Sequence, residues 1–184
     1  MRRPRYKGKY PRHFQEKYKE LNPELYSEEI EKIKNSGRTP VGTHTSIMVR
    51  EVLAALAPNE GNIILDLTLG YGGHCQEFCA RLKEGRVIAF DQDAIELEKT
   101  KMRLSSQFPN LNLSFVTGNF RKLSQELAVL GMGLGAVKVD VVFADLGLSS
   151  MQIDKPERGF NLNVDMPLDL RMDTSKGLPA YALL

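Results

Sequence analysis

Between residues 62 and 147, short apolar runs alternate strictly with segments of helical periodicity. The runs are NIILDL (62–67), RVIAFD (86–91), LNLSFVTG (111–118) and KVDVVFADLG (138–147). Between them lie CQEFCARLK (75–83), AIELEKTKMRLSSQF (94–108, closed by Pro109) and RKLSQELAVLG (121–131). The amphipathic SIMVREVLAAL (46–56) precedes the first run and is closed by Pro58 and Gly61. A short apolar run with no polar alternation reads as a strand covered on both faces, and strands joined through helices lie parallel. The pattern therefore predicts an α/β domain built on a parallel, doubly wound sheet.

In such a sheet, ligands sit at the carboxyl ends of the strands near the switch point. The first strand leads into IILDLTLGYGGH (63–74), an acid followed by three glycines within four residues. Glycines there let backbone approach a ligand with no Cβ in the way. A dinucleotide fingerprint needs G-x-G-x-x-G, and counted from Gly70 its third glycine falls on Cys75, so that match fails. Asp66, just before the turn, suits a cationic ligand or the nearby loop amides. Asp91, ending the second strand, is placed to accept hydrogen bonds from both hydroxyls of a ribose, each worth about 1.5–3 kcal/mol.

The chain has 184 residues, enough for one domain with a real core, and no apolar run nears the roughly 18 residues of a membrane span. The start lacks the apolar stretch of a signal peptide, so the expected location is the cytoplasm. Cys75 and Cys79 lack a second ligand pair and read as buried or half-buried free thiols rather than a metal site. The net charge of +2 hides a basic start: residues 1–20 carry eight Lys/Arg against Glu16 and Glu20. Tyr6, Tyr10, Phe14 and Tyr18 are interleaved there, which suits a polyanion with unpaired bases. If all six net charges met single-stranded RNA, log K would fall with log salt at a slope of about −4. A solubilising tail accounts for the same residues equally well. SEEIEKIKNSG predicts a short helix from Ser27 to Gly37, and GRTPVGT (37–43) a linker. The expected division is a basic extension over 1–42 and a main domain over 43–184.

Acid, glycine turn, then an acid ending the next strand resembles the class I S-adenosylmethionine methyltransferases. The segment VDVVFADLGLSSMQIDKPERGFNLNVDMPLDLRMD (139–173) is similar to the signature of the bacterial 16S rRNA (cytosine-N4)-methyltransferases, the MraW/RsmH family. HTSIMVREVLAAL, LDLTLGYGGH, FDQD and GNF fall upstream in that family's order, so the resemblance covers about residues 44–173. It implies a Rossmann-like sheet of order 3-2-1-4, S-adenosylmethionine as donor, and 16S rRNA of the small ribosomal subunit as substrate. It also implies site roles. Gly72, Gly73 and His74 match the loop at the cofactor's methionine end, and Asp91 matches the ribose acid. Phe120 matches a residue on the adenine side, Asp145 the acid beside the sulfonium and the incoming base, and Gln152 a further cofactor contact. Each also has a plain structural reading: His74 as a helix opener, Phe120 as core, and Gln152 as a loop residue.

The N4 amine of cytosine is a poor nucleophile because its lone pair is delocalised into the ring. Acceptors on its protons would favour the attacking geometry and stabilise developing positive charge. Asp145 is therefore expected to orient that amine or take its proton, although DLGLSS replaces the acid or amide followed by two prolines of many amino-methyltransferases. Ser149 and Ser150 either contact the base or shape the turn. Arg158 and Arg171 either hold RNA phosphates or pair with Glu157, Asp169 or Asp173. Met166 stands where the family motif has glycine. Family members continue with a helical insertion and further strands, so an incomplete sheet with strand four on an open edge is expected. An active rRNA methyltransferase and a cofactor- or RNA-binding module without turnover both remain open, with a methyltransferase for another substrate as a third reading.

Overall fold

The computed structural model describes residues 46–132, 138–153, 155–163 and 165–184. The basic arm, the helix expected from Ser27, the linker over 37–43 and His44 lie outside the described residues. The chain divides into two compact units, Met1–Ile47 and Met48–Leu184. The second holds every element below.

Helix α1 (Val49–Leu56) leads to β1 (Ile63–Asp66), α2 (Gly73–Cys79), β2 (Arg86–Asp91), α3 (Ala94–Gln107) and β3 (Asn112–Thr117). A 3-10 turn at Phe120–Lys122 runs into α4 (Leu123–Val129), followed by β4 (Val141–Phe143) and the short α5 (Ser150–Ile153). The four strands form one parallel sheet in the order β3-β2-β1-β4, as the resemblance implied. This is the α/β, Rossmann-like architecture read from the sequence.

Side chains alternate across each strand. Ile64, Val87, Ala89 and Val141 enter one core with Phe78 and Cys79 of α2, Leu97 and Leu104 of α3, and Val52, Leu53 and Leu56 of α1. Leu65, Ile88 and Phe90 enter the other with Met132 and with Leu123 and Leu127 of α4. The sheet is thus covered on both faces, which is why its central strands lack polar alternation. Burial of each large side chain contributes about 1.5–3 kcal/mol. Cys75 and Cys79 are free and buried. The Cys75 thiol hydrogen-bonds Cys79, and that bond together with burial pushes Cys75 well above the usual thiol range.

Helix α2 and strand β4 differ in their bounds from the sequence reading. Helix α2 starts at Gly73, before the expected residue 75, because Gly72 caps it in the left-handed region at φ 67°. It ends at Cys79 rather than 83, since Arg81 and Leu82 donate to the carbonyls of Phe78 and Cys79 in tighter turns. Strand β4 keeps only three residues because the chain leaves the sheet after Phe143. β4 occupies an edge of the sheet, with Val142 54% exposed. No described helix is long and apolar enough to cross a membrane.

Candidate functional site

Strand register brings three carboxylates to one end of the sheet. Asp66 ends β1 and pairs in register with Ala89 and Phe143. Asp91 and Asp145 each lie two residues beyond those partners, so both stand past the carboxyl end of the sheet beside Asp66. Their charges reach Asp66: burial, then Asp91 and Asp145, raise its pKa to about 7 against a single lowering hydrogen bond from the Thr68 N–H. Thr68 also ties the cluster together, because its Oγ1 accepts from the Asp145 N–H at 2.7 Å. The Asp145 residue is exposed, while Asp66 is buried.

The glycine turn closes onto Asp91. Leu69 donates to the Phe90 carbonyl at 2.8 Å, carrying the β1–β2 contact past the strand end. The next N–H, from Gly70, donates to Asp91 Oδ2 at 2.6 Å, and the Asp93 N–H donates to Oδ1 at 2.9 Å. Desolvation outweighs these bonds and raises the Asp91 pKa. The glycines answer different demands. At Gly70 (φ 49°) a Cβ would meet nothing within 4 Å, so the backbone there faces open space. At Gly72 a Cβ would lie 2.7 Å from Thr100 Cγ2, so that glycine is required by packing on α3. Gly73 opens α2, and His74 in its first turn is buried with its ring 4.6 Å from that of Phe143.

Beyond β3, the Gly118 N–H donates to the Asp91 carbonyl at 2.8 Å, tying this loop to β2. Asn119 caps the 3-10 turn through Arg121 and donates to Gln92 Oε1 at 3.0 Å. Phe120 follows, half-buried and belonging to neither core cluster. Gln152 lies elsewhere in the hydrogen-bond pattern. Its Oε1 accepts from the Ser149 N–H at 3.0 Å, and its own N–H donates to Ser149 Oγ at 3.2 Å. This reciprocal pair is a capping box that opens α5, legible in the sequence as S-x-x-Q.

Arg158 has a partner that sequence reasoning missed. It is buried, and its Nη2 donates to Asp93 Oδ2 at 2.9 Å and to the Met172 carbonyl at 2.8 Å. Asp93 is the N-cap of α3, accepting from the Glu96 N–H at 3.3 Å. The guanidinium is paired with Asp93 rather than with Glu157, Asp169 or Asp173, and it fastens the segment after β4 to α3. Arg171 meets an anticipated partner, Asp169, with two bonds at 2.8 and 2.7 Å. Gly159 (φ 73°) lies so close to residues 167–169 that a Cβ would stand 2.7 Å from the Asp169 nitrogen and the Pro167 oxygen. Met166 is half-buried just before this contact. Among the described residues, no group of three His, Cys, Asp or Glu could hold a metal ion.

Residues 42–184 match the model of the MraW methylase family. The chain is 46% identical over 181 residues to "Ribosomal RNA small subunit methyltransferase H 1" of Agathobacter rectalis, covering 97% of this chain and 50% of that protein. It is 43% identical to "Ribosomal RNA small subunit methyltransferase H 2" of Alkaliphilus metalliredigens, covering all of this chain and 51% of that protein. A protein of the same name from Acholeplasma laidlawii is 44% identical, with 52% of its length covered. The chain thus spans about half the length of these curated relatives. With that family match over the whole strand-and-turn region described above, the chain belongs to the MraW methylase family.

Proposed function

We propose that the chain carries the S-adenosylmethionine-binding part of a methyltransferase acting on the N4 amine of a cytidine in 16S rRNA of the small ribosomal subunit. The observation that carries this reading is the gathering of Asp66, Asp91 and Asp145 at one end of the sheet, around a turn with open space at Gly70. The residues suit the cofactor. Asp91 is held by the backbone N–H groups of Gly70 and Asp93, and its carboxylate would accept from two neighbouring hydroxyls. The acidic cluster, with Asp66 raised to about 7, favours a bound cation. Gly72, Gly73 and His74 would line the methionine end and Phe120 the adenine side. Gln152 would contribute only what its capping bond leaves over.

S-adenosylmethionine, when bound, supplies an electrophilic methyl on a positively charged sulfur. The remaining work falls to Asp145. Its backbone is pinned to Thr68, and its exposed side chain accepts from the amine protons, aiming the nitrogen lone pair and taking up the proton released on transfer. A cytidine must leave its stack to reach such a site, so the substrate is a single-stranded or splayed region of RNA.

The alternative reading is a cofactor- or RNA-binding module without turnover. Methyl transfer from labelled donor to small-subunit RNA, with nucleoside analysis, decides between them. N4-methylcytidine supports the enzyme, whereas cofactor binding without transfer supports the module.

A further inference from the structure

Helix α3 carries no residue that the sequence ties to the site, yet two of its side chains hold the glycine turn. Thr100 is buried in mid-helix, where a β-branched residue is a poorer helix former than Ala or Leu. Its hydroxyl does not bond back along its own helix. Instead Oγ1 donates to the Gly70 carbonyl at 2.8 Å. One turn on, Arg103 donates through Nη2 to the Tyr71 carbonyl and through Nη1 to Gln76 Oε1 at 2.8 Å. Successive carbonyls of the turn are therefore drawn to one helix, and Gly72 rests without a Cβ on Thr100 Cγ2 between them. The peptides are trans, so fixing the Gly70 carbonyl toward α3 turns the opposite edge of that peptide away from it.

We propose that Thr100 is a positioning residue for the cofactor turn: its hydroxyl locks the Gly70–Tyr71 peptide, presenting the turn to the nucleoside preformed. This rests on the reading that the turn binds S-adenosylmethionine. A turn already in its bound shape loses less conformational freedom on binding, so releasing the lock lowers affinity.

The test uses the full chain with Thr100→Val, which keeps Cγ2 and loses the hydroxyl, and Thr100→Ser, which does the reverse. Leu127→Ala, in the core on the other face of the sheet, is the control for general destabilisation. Binding of S-adenosylhomocysteine is read by calorimetry, and amide exchange is followed at Gly70 and Gly72. The expectation is about tenfold weaker binding and faster exchange for Thr100→Val, as loss of one buried hydrogen bond implies. Thr100→Ser should stay within about threefold of wild type, as should Leu127→Ala despite its lower urea midpoint. Wild-type affinity in Thr100→Val overturns the proposal, and so does an equal loss in Leu127→Ala. No binding by the wild-type chain instead removes the cofactor reading on which the proposal rests.

Discussion

Asp66 offers the sharpest physical test, because its environment reverses the usual relation between a carboxylate and stability. In the unfolded chain it titrates at its ordinary 3.8, and in the fold at about 7. Below pH 4 both states hold the proton. Between pH 4 and 7 the folded state keeps it while the unfolded state releases it, so stability falls as pH rises, by up to about 1.4 kcal/mol per pH unit. The cumulative loss is about 4 kcal/mol, complete above pH 7. Asp66→Asn cannot ionise, and its carbonyl can still accept from the Thr68 N–H. Urea unfolding at pH 5, 6, 7 and 8 measures the consequence. The variant's advantage over wild type should grow by about 1 kcal/mol per unit from pH 5 to 7 and then level off. Any fixed cost of the buried amide shifts all four values equally and leaves that growth untouched. Parallel wild-type and variant profiles would refute the argument, since Asp66 would then titrate alike in both states.

Other outcomes follow from the same geometry. Asp145→Asn should lower turnover on small-subunit RNA by about 100-fold or more, well beyond any loss of cofactor affinity; near-normal turnover would remove Asp145 from the chemistry. Gly72→Ala should cost about 2–4 kcal/mol in urea unfolding, from positive φ and a 2.7 Å approach to Thr100, and a wild-type midpoint would contradict the packing described. Arg158→Met should cost about 3–5 kcal/mol by stranding the Asp93 charge, with most of the loss recovered when Asp93→Asn is added. Failure of the second change to rescue the first would show that the two residues are not energetically linked.

What the sequence disclosed was governed by the range of the interactions involved. Strand β2 was legible residue for residue, because RVIAFD is an unbroken apolar run ended by its acid. That the strands lie parallel follows from alternation, and their order from the family resemblance. Strand β4 was overestimated, since the pull of Thr68 on the backbone of Asp145, 77 residues away, has no local signature. The sequence around Arg158 points only to RNA or to nearby acids for the same reason, its partner Asp93 lying 65 residues earlier. Gln152 is the opposite case: S-x-x-Q at Ser149 was readable as a helix cap, yet family resemblance drew attention to the cofactor. Thr100 was invisible because a threonine inside a helical pattern shows nothing of the loop it bonds.

The position of β1 in the sheet carries a consequence for assembly. Its neighbour β2 begins within two dozen residues, whereas β4 must return from beyond residue 140 to close the other side. Closing the shorter connection costs less chain entropy, which favours pairing of β1 with β2 ahead of β4. On that order the Gly70–Asp91 clasp would form first, and Asp145 would join a cleft already half built.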